Sequence, residues 1–86
     1  MPIISRFFGI IIRMFFNEHA PPHFHAEYGN HRALIDIRTL KLIEGNLPRR
    51  ALELVMDWAE LHQEELMKDW DLCQSHQHPM EIAPLE

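Results

Sequence analysis

The chain has one cysteine, Cys73, together with three glycines and one tyrosine in 86 residues. A lone thiol closes no internal disulfide and makes no zinc knuckle by itself. A disulfide-stapled secreted scaffold is therefore excluded, and a reducing, cytoplasmic setting is expected. Long apolar runs are missing as well. FFGIII, with MFF following Arg13, is too short and interrupted to span a bilayer, and no small-residue cleavage site follows a continuous apolar region. Cations are scarce, with eight Lys and Arg against thirteen Asp and Glu and a formal charge of -5. Phosphate contacts need clustered positive charge, so a general nucleic-acid binder is disfavoured. The deficit is uneven: residues 1–43 carry five Lys and Arg against three Asp and Glu, whereas residues 44–86 carry three against ten. Any anion-binding role must then use the first half. The length allows one domain with a modest core, here expected over residues 1–74 with an extended tail over 75–86, so a site must lie on the surface of one pair of layers.

What is present sorts by period. Residues 7–16, FFGIIIRMFF, are β-branched and aromatic on both alternating faces and predict one well-covered strand in the middle of a sheet. After the loop NEHAPP comes HFHAEY, then Gly29-Asn30, then HRALIDI. Glycine at the first central position suits a two-residue type II′ hairpin turn. That turn fixes a register in which His23 faces Asp36, His25 faces Leu34 and Glu27 faces Arg32. Phe24, Ala26, Ala33, Ile35 and Ile37 then share one side. His23, His25, Glu27, Arg32, Leu34 and Asp36 share the other. A further turn near Arg38-Thr39 returns the chain along LKLIE, with Leu40 and Leu42 on the apolar side and Lys41 across from Asp36.

A helix is expected after Gly45-Asn46, capped by Asn46 or Leu47, with Pro48 in its first turn and its end near Gln74. Ala51, Leu52, Val55, Trp58, Ala59, His62, Leu66, Trp70 and Cys73 fall on one face, and acidic residues fall opposite. The fold class read from this pattern is α+β: a four-stranded antiparallel meander packed on one long C-terminal α-helix.

These residues also resemble a known family. MPIISRFFGIIIRMFF, HAPPHFHAEYG and LPRRALELVMDWAELHQEEL with Trp70 are similar to the bacterial family called domain of unknown function 4160, over the chain to about residue 72. The resemblance implies no catalytic residue. It implies a short bacterial protein encoded beside another small family, domain of unknown function 2442, in an arrangement similar to a toxin-antitoxin pair.

The stretch HAPPHFHAEYGNH, residues 19–31, concentrates the chemistry. An H-x-H pair on a strand puts two imidazoles on one face, so His23 and His25 with Glu27, and His19 folding over from the loop, form a candidate set for a divalent transition metal such as zinc. Asp36 is an alternative carboxylate. The same face offers acid-base groups: His23 and His25 as proton carriers, Asp36 to orient His23, and Arg32 to hold phosphate, with Lys41 and Arg13 nearby. That set would suit a histidine-dependent, metal-assisted ribonuclease or phosphodiesterase. The reading preferred over it is an interaction component of a toxin-antitoxin-like pair, working through the sheet as a homodimer or with a small partner protein. His62, mid-stripe, is expected half-buried and bonded to a backbone carbonyl or to Tyr28. Trp58 and Trp70 are read as packing, and His76 and His78 as part of a solvated tail. Arg49 and Arg50, in the first helical turn where the macrodipole disfavours cations, hint at an anion or an acidic partner nearby.

Overall fold

The structure, a computed structural model, describes residues 2–86. Where one strand over 7–16 is expected, two occur: β1 (Ile3–Phe7) and β2 (Ile10–Arg13). With β3 (His23–Tyr28), β4 (His31–Asp36) and β5 (Leu42–Asn46) they form a five-stranded antiparallel sheet in the order β1-β2-β3-β4-β5. The four-strand expectation fails at Phe8 and Gly9. Both take positive φ, 50° and 80°, as a two-residue type I′ turn requires. Apolar residues on either side concealed the turn. Phe7 and Ile10 are cross-strand partners and buried, while Phe8 at the tip is 61% exposed. The first strand is consequently an edge, and β2 takes the interior place.

The β3–β4 hairpin has the expected register, from His23 opposite Asp36 to Tyr28 opposite His31. Gly29 alone of the turn pair has positive φ, in keeping with a type II′ turn. Phe24, Ala26, Ala33, Ile35 and Ile37 are all buried on the inner face. The return strand starts later than expected. Leu40 occupies the turn with φ 56°, and its N–H donates to the Asp36 carbonyl at 2.9 Å. Lys41 does lie across from Asp36, through the Asp36 N–H and its own carbonyl, 2.9 Å apart. The register shifts between Leu34 and Ile35, and Leu42 stands opposite the buried Ile35 on the expected side, yet on this edge strand it is 38% exposed.

The helix is also divided, into α1 (Arg49–Leu61) and α2 (Gln63–Gln74). Pro48 is the N-cap residue; the Asn46 side chain bonds only the Leu47 N–H. His62 interrupts the helical run with φ -124° and ψ 24°, and its N–H returns to the Ala59 carbonyl at 3.1 Å. Periodicity survives because the break is a single tightened turn: Ala51, Val55, Trp58, Ala59, Leu66, Trp70 and Cys73 are all buried. Trp58 sits at the centre of the core, its ring 5.4 Å from Phe7 and 5.8 Å from Phe24. The half-buried His62 finds neither Tyr28 nor a backbone carbonyl. Its Nδ1 meets the Glu65 carboxylate, and its ring lies tilted against Trp58 at 5.5 Å.

Beyond Ser75 the chain returns along the body. The Met80 N–H donates to Asp69, the Ile82 N–H to the Ile4 carbonyl at 2.8 Å, and Trp58 Nε1 to the Ala83 carbonyl at 2.8 Å. Pro79 and Ile82 are buried by this path. The helices and tail cover one face of the sheet, leaving His25, Arg13, Glu27, Arg32 and Leu34 on the other. Among the described residues no helix is long and apolar enough to cross a membrane.

A candidate metal centre at the start of the third strand

Strand alternation brings His23 and His25 to one side of β3, two residues apart, with ring centroids 5.4 Å from each other. The third donor comes from the loop before the strand. Glu18 reaches over with Oε1 2.7 Å from His25 Nε2 and 3.3 Å from His23 Nε2. One donor atom from each residue lies within 4.8 Å of the others. Zinc bonds of about 2.0–2.2 Å would set two ligand atoms of a tetrahedron about 3.3 Å apart, so the three fit one ion with little movement.

The surroundings hold each donor. The Pro21 carbonyl accepts the His23 Nδ1–H at 2.8 Å. That bond fixes the tautomer and leaves Nε2 with its lone pair toward Glu18, the usual outer-sphere support of a metal-bound histidine. His23 Nε2 is buried and has no well-aligned hydrogen bond, a costly state for a polar atom unless something else engages it. Trp70 covers the His23 ring at 5.2 Å, and Phe15 meets the His25 ring edge-on at 4.3 Å. The loop itself is tied to the end of α2. The Asn17 N–H donates to the Cys73 carbonyl at 3.3 Å, and Gln74 Nε2 to the Glu18 carbonyl at 3.1 Å. Glu18 and His25 stay partly open, their side chains 26% and 18% exposed, so an ion here would keep a side toward solvent.

The other expected donors go elsewhere. Glu27 pairs with Arg13 at 3.1 Å, because Arg13 stands one residue pair away on β2 and Arg32 points into water. His19 is exposed and is not among the converging donors; the residue beside it takes the place assigned to it. Asp36 faces His23 in register, yet its carboxylate turns back to accept the Arg38 and Thr39 N–H groups at 2.8 and 2.9 Å. The Thr39 N–H above all, against an opposing desolvation and helped by the Arg38 N–H, the Thr39 hydroxyl and the Arg38 charge, holds Asp36 below the usual carboxylate range. Arg32 is exposed on the same face. His31, His76 and His78 are exposed too.

Two buried titratable groups lie near the site, Cys73 on the expected apolar face and Asp69, which the pattern did not single out. Burial, and then the charges of Asp69 and Glu18, push the Cys73 thiol up to about 11, so it is a packed thiol and no nucleophile. Asp69 is 1% exposed on α2. Its Oδ1 accepts the Met80 N–H at 2.8 Å, and its Oδ2 has no partner among the described residues. Desolvation first raises its pKa, opposed by the Met80 N–H; Glu65 raises it further and His78 lowers it.

Comparison with known proteins adds the family. The model of a family described as a domain of unknown function, DUF4160, matches residues 9–71, a stretch that contains Glu18, His23 and His25. No curated protein and no solved structure matches the chain. A match of that extent, running from the β1–β2 turn through most of α2, means that the chain belongs to the DUF4160 family.

Proposed function

We propose that this chain is a divalent-metal-binding protein, the ion held by Glu18, His23 and His25, and that it serves as the interaction component of a toxin-antitoxin-like pair. The observation that carries the metal reading is the convergence of one carboxylate and two imidazoles around a buried His23 Nε2 whose other nitrogen is held by a backbone carbonyl. Two nitrogens and one oxygen suit zinc or another first-row divalent ion. The interaction part is supported by the open sheet face. Half-buried Ile11, Phe15 and Leu34 lie there among charged neighbours, with no layer among the described residues packed over them, as a contact surface for a small partner protein or a second copy would have.

Element analysis of untagged protein, followed by calorimetric titration with zinc, tests the metal. One ion per chain is expected, with affinity lowered at least about 100-fold in His23→Ala, a change comparable to the loss of a supporting contact or greater. Metal-free protein that takes up no zinc would end this reading. Co-expression with the small neighbouring protein tests the pairing: a complex that survives gel filtration is expected, and separate elution of the two refutes it.

A second reading, a histidine-dependent ribonuclease or phosphodiesterase, draws on one contact. With no ion present, the bond from His25 Nε2–H to Glu18 at 2.7 Å leaves Nδ1 as a base, oriented by a carboxylate. Incubation with RNA, with and without chelator, separates the two. Cleavage abolished by His25→Ala supports the enzyme, and intact RNA removes it.

A further inference from the structure

We infer that the metal centre takes an oxyanion of the phosphate class, bound between the ion and Arg13. This rests on the metal reading above and adds a ligand to it. Arg13 on β2 is the cross-strand partner of His25 on β3, so the two side chains are nearest neighbours on the open face. Glu27 fixes the guanidinium through Nε at 3.1 Å. One carboxylate has two oxygens against five guanidinium N–H donors, so donors are left over for another anion. The pairing positions Arg13 without using it up.

Charge favours the same occupant. Three protein donors leave a coordination position open, as sites that bind substrate or water do. One carboxylate against a divalent ion leaves the centre positive. Arg6 and Arg32 are exposed, and Arg32 shares the face with Arg13. The chain's excess of acid sits on the other layer, where Glu53, Asp57, Glu60, Glu64 and Asp71 are exposed on the helices. In a chain of net charge -5, the open face carries Arg6, Arg13 and Arg32 against Glu27 and Glu44, a better balance for an anion than the helical layer offers. Between oxyanions, a tetrahedral phosphate offers separate oxygens to an ion and to a guanidinium fork, which suits two cationic partners on adjacent strands.

Cobalt(II) provides the probe, because its visible spectrum reports ligand number. Cobalt-loaded full-length protein is titrated with inorganic phosphate. The expected result is a saturable spectral change, with phosphate affinity lowered about 10- to 100-fold in Arg13→Gln, as the loss of one charge-assisted contact implies, while cobalt binding stays one to one. Unchanged cobalt stoichiometry shows the variant to be folded, and Arg13→Lys, keeping the charge but losing the fork, should fall between. A short RNA oligomer is then set against phosphate. Competition marks a nucleic-acid ester as the source, and its absence a free anion; either supports the oxyanion site. A cobalt spectrum indifferent to phosphate, or equal affinity in Arg13→Gln, overturns the inference and leaves the metal reading standing. Failure to bind cobalt overturns both.

Discussion

If an ion joins Glu18, His23 and His25, it joins a loop to a strand, and the fold should feel it. Glu18 lies five residues before His23, in a segment bonded to the end of α2 through Asn17 and Gln74. An ion bound to the folded chain alone stabilises it by RT ln(1 + [L]/Kd), about 2.7 kcal/mol at a hundredfold excess over Kd. For a domain of this size each kcal/mol moves Tm by about 4–8 °C, so saturating zinc should raise Tm by roughly 10–20 °C. The assay is a thermal melt by circular dichroism over a zinc series. His23→Ala and Glu18→Gln should each show only a weak zinc shift relative to their own metal-free forms, since each removes one of three donors, and His23→Ala should also melt lower for the buried ring it loses. His19→Ala and Glu27→Gln, which leave the donor set intact, should keep the full shift. A zinc shift of equal size in wild type and in the His23→Ala, His25→Ala double variant would refute the reasoning, because the stabilisation would then come from elsewhere.

The fold makes further predictions. A Cβ at Gly45, where φ is +74°, would lie 2.2 Å from the Arg32 carbonyl oxygen; Gly45→Ala should cost at least about 2 kcal/mol, from the left-handed backbone plus the clash, with faster amide exchange along β5. Trp58→Phe keeps an aromatic ring in the core but loses the bond to the Ala83 carbonyl. About 1 kcal/mol in urea unfolding is expected, from that bond and some packing, with earlier proteolysis after residue 77. Burial holds the folded pKa of Asp69 above the ordinary carboxylate value. The native state keeps the proton that the unfolded chain releases, so stability falls as pH rises from the unfolded pKa to the folded one and is level above it. Asp69→Asn should remove that fall, as equilibrium unfolding across this window would show.

The inner face of the β3–β4 hairpin was legible because a two-residue turn and strict alternation determine each other. Once Gly29-Asn30 is the bend, Phe24 must meet Ile35 and His25 must meet Leu34, as they do. The β1–β2 hairpin was not legible for the complementary reason. FFGIII is apolar on both sides of its turn, so a bend at Phe8-Gly9 leaves no change of period, and one strand and two give the same pattern. The divided helix is a parallel case. A single tightened turn at His62 hardly disturbs the apolar stripe, α1 has no basic residue in its last turn and no side chain caps α2, and the one start signal, Glu64 and Glu65 in the first turn of α2, merges with the acidic outer face.

At the candidate site, alternation supplied the two imidazoles and misplaced the carboxylate. Glu27 and Asp36 share the face with His23 and His25, but residues on one face of a sheet are spaced by the strand repeat, about 7 Å along a strand. Donors around one ion must lie about 3.3 Å apart. Two adjacent same-face imidazoles can close that gap by tilting toward each other, whereas a third donor in the same plane would also have to lean inward against its own strand neighbour. Glu27 is already held by Arg13, and Asp36 by the turn it caps. The third donor is free to approach only from outside the pleat, which means from a loop crossing the end of the strand. NEHAPP is that loop, and of its two candidate donors Glu18 is tied to the α2 terminus by its own carbonyl. An H-x-H strand preceded by a short loop with one acidic residue is therefore better read with the loop acid as third donor than with the same-face acid. Exchanging the positions in Glu18→Ala, Ala20→Glu tests the point: zinc affinity should fall as far as in Glu18→Ala alone, because the α2 tether holds residue 18 in place and no such bond holds residue 20. Recovery of affinity in the double variant would show that proximity in the loop, and not the tether, selects the donor.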